Sequence, residues 1–212
     1  MIDRRRLTLA LLAAAAAGPA LAQAPARLAP ADQALVDRAV AYLEGLSQAK
    51  AHFVQVDGRG RQATGSLYLK RPGKARFAYD PPSGLLVVSD GATVNVADAR
   101  LKSFESYPLG MTPLSLFLAR NIRLDRGVQV TSVTRAAEGF TINARDGRRQ
   151  TAGRLSLTFA EAPLRLAGWT VTDAQGRNTQ VRLLDLAPAS DLDPGLFVLK
   201  DPRPKNVGRA RM

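Results

Sequence analysis

Along the chain, apolar residues recur first with a helical and then with a two-residue period. Leu35, Ala39, Tyr42, Leu43 and Leu46 follow one another at three- and four-residue steps, which predicts a helix of about four or five turns starting at Ala31. Asp32, in its first turn, suits the positive end of a helix dipole. Residues 50–57 then alternate as a strand with Phe53 turned inward, and Gly58-Arg59-Gly60 supplies a turn. Next comes GSLYLKRPGKARFAYDPP, from Gly65 to Pro82, where Leu67 and Leu69 share one face of a run and Ala75, Phe77 and Tyr79 share one face of the next. Arg71-Pro72-Gly73-Lys74 between them reads as a type II turn: proline presets φ at the second position, and glycine accepts positive φ at the third.

Residues 84–89 and 93–96 form a further strand pair, turned by Asp90-Gly91, and 101–107 continues the meander. The pattern then changes. Thr112 as N-cap and Pro113 at the first helical position open a short helix carrying Leu114, Leu116, Phe117 and Leu118, apolar nearly all round. Strands resume at 128–134, 139–144, 154–159, 164–172 and 179–186, with a last short one at 196–199. About ten short strands without a βαβ rhythm predict an α+β fold, a single antiparallel sheet that must curl, with two or three helices on one face.

At 212 residues and 46% hydrophobic content, the chain can bury one sizeable core. Its beginning, MIDRRRLTLALLAAAAAGPALAQA, has the basic, apolar and small-x-small regions of a secretory signal peptide over residues 1–22, and the apolar run is too short for an anchor. Arg4-Arg5-Arg6 is compatible with either the general or the twin-arginine export route. Residues 23–30, rich in Ala and Pro, read as a flexible lead-in, and 31–212 as one domain. The absence of cysteine excludes disulfides, thiolate chemistry and lipid attachment behind the leader. The expectation is a free, soluble, exported product. Loss of residues 1–22 removes three Arg and one Asp and lowers the net charge from +12 to +10, which favours anionic lipid or protein partners; export disfavours nucleic acid.

Catalytic and metal chemistry find little support. The single histidine, His52, has neither a second histidine nor a cysteine to share a metal, and no Gly-x-Ser-x-Gly elbow accompanies it. Ser89-Asp90-Gly91 is explained by its hairpin turn, and the acidic residues lie singly, without the pairing of acid–base sites. The chain therefore reads as a non-enzyme without cofactor or metal. An apolar concave face under an apolar helix could enclose an acyl chain, each buried methylene being worth about 0.8 kcal/mol. Leu67, Leu69, Phe77, Tyr79, Leu86, Val88, Leu114, Phe117, Leu118, Leu157 and Trp169 are the residues expected to line it.

The ordered set Lys70-Arg71-Pro72-Gly73-Lys74-Ala75-Arg76-Phe77, Asp80-Pro81, Val88-Ser89-Asp90-Gly91 and Thr112-Pro113-Leu114 resembles the LolA family of periplasmic outer-membrane lipoprotein carriers. The stretch from Asp173 to Thr179 resembles that family's late hairpin, and Phe197, Pro202 and Val207 its ending. The resemblance implies an incomplete antiparallel half-barrel, its concave face covered by helices. It also implies a monomeric carrier that takes lipoprotein acyl chains from an inner-membrane ABC-type releasing complex to an outer-membrane receptor, without a cofactor or a reaction. By the same resemblance, Arg71 is the latch that holds the helical lid closed over an empty cavity. The lack of cysteine fits the soluble carrier rather than the related lipid-anchored receptor. The chain departs from the family in having Thr93-Val94-Asn95-Val96-Ala97 where aromatic residues are common, and Pro204 where glycine is usual. Carriage of another lipid, such as a hopanoid or glycolipid precursor, and a solidly filled structural module stand as the alternatives.

Overall fold

In a computed structural model, residues 28–112, 114–118, 128–146 and 153–201 are described. The expected signal peptide and the last residues of the family-like ending, Pro202 and Val207, lie outside them. Helix α1 spans Pro30–Gly45. Six strands follow in a meander, β1 (Gln48–Val56), β2 (Gln62–Lys70), β3 (Lys74–Tyr79), β4 (Leu85–Asp90), β5 (Thr93–Asp98) and β6 (Ser103–Pro108). A 3-10 turn at Leu109–Met111 and one turn of helix, α2 (Leu114–Leu118), come next. Five more strands complete the chain, β7 (Val128–Ala136), β8 (Gly139–Asp146), β9 (Arg154–Glu161), β10 (Leu164–Thr172) and β11 (Asn178–Pro188), before a second 3-10 turn at Pro194–Phe197.

All eleven strands belong to one open antiparallel sheet in the order β6-β5-β4-β3-β2-β1-β11-β10-β9-β8-β7. Every neighbour is joined by a local hairpin except β1 and β11, which bring the two halves of the chain together at the middle of the sheet. Of the expected lid of two or three helices, the described residues contain one full helix, α1, and the single turn α2. Helix α1 lies on one face, with Leu35, Val36, Ala39 and Leu43 buried and Tyr42 edge-on to Phe159 of β9 at 6.2 Å. Two exposed ion pairs position it, Arg135 Nη2 to Asp32 at 2.8 Å and Arg38 Nη1 to Glu161 at 2.9 Å. Pairs this exposed contribute at most about 1 kcal/mol each, so burial of the stripe holds the helix and the ion pairs set its position.

Strongly curled, the sheet has a concave side. Strands β3 and β10 are four strand spacings apart in the sheet order, which is about 19 Å if the sheet were flat. Yet the rings of Phe77 and Trp169 meet edge-on with centroids 6.0 Å apart. Gly65 contributes to this closure. It pairs with Phe53 on one side and Tyr79 on the other, and a Cβ there would come within 2.7 Å of the Phe53 ring. Without a side chain between them, Phe53 and Tyr79 touch across β2 at 5.0 Å.

The register corrects two expectations on β4. Phe77 stands opposite Val87 and Ala75 opposite Ser89, so Val87 and Ser89 share the concave face. Leu86 and Val88 stand opposite Ala78 and Arg76, on the convex face. Val88 is nonetheless fully buried, because the chain after β11 crosses back over that side. The segment expected as a strand at 196–199 is instead the 3-10 turn Pro194–Phe197, since the Asp193 carboxylate caps it by accepting from the Gly195 N–H at 2.8 Å and Pro194 occupies a first-turn position. Phe197 is buried by it, and the turn contacts β3 and β4. Lys70 Nζ donates to the Leu192 carbonyl at 3.0 Å and Arg76 Nη1 to the Leu196 carbonyl at 3.1 Å, so two of the basic residues around the first hairpin tie down this strap. Phe197→Ala should therefore cost about 3 kcal/mol and lower the melting temperature by roughly 6 to 12 °C, although it lies outside the main core; calorimetry checks this.

Candidate functional site

The concave side is apolar over most of its area. Leu67 and Leu69 of β2, Phe77 of β3, Leu157 of β9 and Trp169 of β10 are buried in one cluster with α1, as are Phe53, Phe140, Phe159, Val181 and Leu183. Leu114 is partly buried against the same cluster, and Leu118 is fully buried in it. The side chain of Phe117 lies outside the described residues. Of the expected lining, Leu67, Leu69, Phe77, Tyr79, Leu114, Leu118, Leu157 and Trp169 are brought together, and Leu86 and Val88 are not. Val87, Val94 and Val96 take their place on the wall. At the level of Phe77 and Trp169, side chains from opposite walls are in contact, so the face is closed on itself.

Tyr79 lies at the polar margin of this wall and donates its hydroxyl to Gln55 Oε1 at 2.7 Å. Burial pushes its phenol up to about 12.

At one end of the sheet, the turn between β2 and β3 meets both helical segments. The Arg71 N–H donates to the Ser47 carbonyl, just past α1, at 2.7 Å, and the Gly73 N–H donates to the Leu118 carbonyl, the last of α2, at 2.7 Å. Carbonyls at helix ends lack partners within the helix, and this turn supplies a donor to that of α2, while the Arg71 bond to Ser47 continues the β1–β2 ladder past Gln48 and Lys70. Gly73 has φ +80 and stands against the neighbouring β4–β5 turn, where an added Cβ would come within 2.8 Å of the Gly91 Cα. The 3-10 turn that leads into α2 is held at its start by that second turn, with the Leu109 N–H donating to the Ala92 carbonyl at 2.8 Å. The Thr112 hydroxyl, expected to cap α2, donates back to the Leu109 carbonyl at 2.8 Å and braces the same approach.

Arg71 itself is half-buried, with Nε and Nη1 shut off from solvent. Burial pulls its guanidinium below the ordinary arginine value, and the Glu44 carboxylate of α1 pulls the other way. Glu44 sits in a last turn that contains no basic residue, where the helix dipole already presents negative charge. The guanidinium thus provides the cation that this helix end lacks. Besides Arg71, the backbone of the same turn makes a contact to α2, through the Gly73 N–H. That signal was present in the sequence only as the glycine.

A family model described as outer membrane lipoprotein carrier protein LolA matches residues 44–200. The chain belongs to the LolA family. An outer-membrane lipoprotein carrier protein of Chromobacterium violaceum is 27% identical over 209 residues, covering 95% of each chain. Another, of Chromohalobacter salexigens, is 30% identical over 183 residues, covering 82% of this chain and 86% of its own. Among solved structures, an uncharacterised conserved protein of Thermus thermophilus aligns with TM-score 0.47 and 14% identity, covering 82% of this chain and 94% of its own. A LolA superfamily protein of Nitrosomonas europaea aligns with TM-score 0.44 and 8% identity, covering 77% and 97%.

The Tyr79 environment is open to a pH test. A phenol whose folded value is raised stabilises the fold fully below the unfolded value of 10.0, and that stability is lost as pH rises towards about 12. Denaturant unfolding of wild type should show a decline across this window, and Tyr79→Phe should remove that part of the decline while leaving the curve below it level.

Proposed function

We propose that the chain is a periplasmic carrier that holds the acyl chains of lipoproteins on the concave face of its sheet and passes them to the outer membrane without covalent chemistry. The observation that carries this reading is the junction at the β2–β3 turn. One four-residue turn is bonded to the end of α2 through the Gly73 N–H and sets Arg71 beside Glu44 in the last turn of α1, over an apolar face already closed by its own side chains. In this reading α1 and the α2 segment are the lid, and Arg71, facing Glu44, is its latch. An entering acyl chain replaces contacts such as Phe77 to Trp169 with contacts of its own. Supply by an inner-membrane ABC-type releasing complex and acceptance by an outer-membrane receptor complete the route, and the family membership supports it. The leader over residues 1–22 directs export, so the periplasmic protein should begin at Gln23; N-terminal sequencing of that protein checks this.

Carriage of a different lipid is the second reading. It is favoured by the wall residues Val94 and Val96, which stand where relatives commonly carry aromatic side chains and leave a differently shaped lining. Lipid analysis of the protein purified from its own periplasm separates the two, finding lipoprotein in one case and free lipid in the other.

Wild type should take up dansyl-undecanoic acid at about micromolar affinity, with a change in Trp169 emission. Arg71→Leu should load at least as well yet hand a labelled lipoprotein to outer-membrane vesicles about tenfold more slowly, the effect of losing a charged hydrogen-bonding group. Arg71→Lys should fall between them, because a single ammonium cannot present a fork of donors. Arg76→Leu, which touches the convex strap instead, should transfer as wild type does. Absence of probe uptake by wild type would overturn the carrier reading, and equal transfer by Arg71→Leu and wild type would overturn the latch.

A further inference from the structure

Ser89 is a polar residue in the wrong place for a plain wall. It lies on the concave face of β4 among Val87, Ala75 and Phe77, and it is 1% exposed; only Asn95 shares its class of buried polar residue among those described. Its presence is not explained by the Ser-Asp-Gly turn. Asp90 and Gly91 organise that turn, the Asp90 carboxylate accepting from the Ala92 and Thr93 backbone N–H groups and from the Thr93 hydroxyl, and Gly91 taking the positive φ. A hydroxyl buried in an apolar wall costs free energy unless it is bonded. Its bond goes to the Gly73 carbonyl at 2.6 Å.

Gly73 is the residue whose N–H reaches α2. Its carbonyl lies one residue past Lys74–Asp90, where the β3–β4 ladder ends, so strand pairing does not hold it. Three groups fix it instead: the Ser89 hydroxyl at its oxygen, Gly91 against its Cα, and the Leu118 carbonyl at its nitrogen. Two of these are backbone, and the left-handed φ of +80 leaves the residue little choice of side chain. The Ser89 side chain thus reaches from the curved wall to this junction.

We propose that Ser89 is a positioning residue of the lid. By holding the Gly73 carbonyl it aims the Gly73 N–H at the end of α2, and so couples closure of the lid to the conformation of strand β4. An acyl chain that spreads the wall between β3 and β4 would then loosen the α2 tie without touching it. The coupling of this latch to lipid rests on the carrier reading, whereas the latch itself does not.

The test is residue-resolved amide hydrogen exchange on the purified, lipid-free full chain, compared among wild type, Ser89→Ala and Val88→Ala. Val88 adjoins Ser89 in the same strand but faces the convex strap, so its truncation weakens β4 without reaching the turn. Ser89→Ala should speed exchange of the Gly73 amide about tenfold relative to the Phe53 amide, the effect of losing one buried hydrogen bond, and should speed uptake of dansyl-undecanoic acid by a similar factor. Val88→Ala should speed both amides together and leave relative protection unchanged. A Gly73 amide as protected in Ser89→Ala as in wild type, or one that follows Val88→Ala, would overturn the proposal and make Ser89 an ordinary wall residue. Ser89-dependent exchange in a protein that takes up no probe would uphold the latch while the carrier reading fell. Probe uptake with Ser89-independent exchange would do the reverse.

Discussion

The contact between Phe77 and Trp169 is the constraint around which the rest of the molecule is arranged. Two rings on strands about 19 Å apart along a flat sheet can meet only if every intervening strand bends towards the same side. Once they meet, the apolar faces of both sheet halves become one core, and α1 has a single surface to cover rather than two. Aromatic contacts continue the closure outward, from Phe77 to Phe53 at 5.8 Å and from Phe53 to Tyr79 at 5.0 Å, across a strand whose Gly65 leaves room. The sheet remains open at β6 and β7, so no pairing of its two edges holds the curl shut. Side chains do, and side chains can be replaced by something of similar shape and polarity.

Closure of this kind is reversible in a way that a closed barrel is not. Parting the walls exposes apolar surface at about 25 cal/mol per Å², and an acyl chain laid between them restores most of it at about 0.8 kcal/mol per methylene. In the proposed carrier the exchange would be nearly balanced, so that the small, directional terms at the β2–β3 turn would decide which state prevails. Those terms are concentrated: one backbone N–H group, one guanidinium facing Glu44 and one buried hydroxyl, all within residues 71–73 and their immediate partners. A few hydrogen bonds of about 1 kcal/mol each would be trivial against a whole core, yet they are decisive where the core terms cancel.

Much of the fold was legible because alternation is unambiguous where one face of a strand is polar. In β2 and β3, Tyr68, Lys70, Lys74 and Arg76 mark the outer face, and the inward assignment of Leu67, Leu69, Ala75, Phe77 and Tyr79 agrees with the register. In β4 the run Leu85-Leu86-Val87-Val88 has no polar marker, and the choice of Leu86 and Val88 fell on the convex side. The physical reason is the strap: a convex face covered by Phe197 can be as apolar as the concave one, and alternation cannot identify which is which. The strap was itself misread, because Leu196 to Leu199 is apolar enough for a strand, while the Asp193-Pro194-Gly195 cap that turns it into a 3-10 helix is a local signal easily outweighed. Arg71 stands out by the match of Lys70-Arg71-Pro72-Gly73 to the family motif. Ser89 does not, since Ser-Asp-Gly is already accounted for by its hairpin, and only the register shows that the serine faces inward while the aspartate makes the turn.

The basic knot of the first hairpin divides along the same line of register. Lys70 and Arg76 point to the convex side and hold the carbonyls of Leu192 and Leu196, so their charges fasten the strap. Arg71, at the turn between the two strands, is released from strand alternation and reaches the helix side. A strap pinned to β2 and β3 from outside, and a lid bonded to the turn joining them from inside, make this hairpin the element that both surfaces share. Under the proposed coupling, stiffening it from outside would let the junction at Gly73 act as a switch, because a hairpin free to flex would absorb movement of β4 before it reached α2. The two sets of basic residues therefore serve one mechanical end: the convex set keeps the hairpin rigid, and that rigidity gives the hydrogen bonds at the turn a fixed geometry to make or lose.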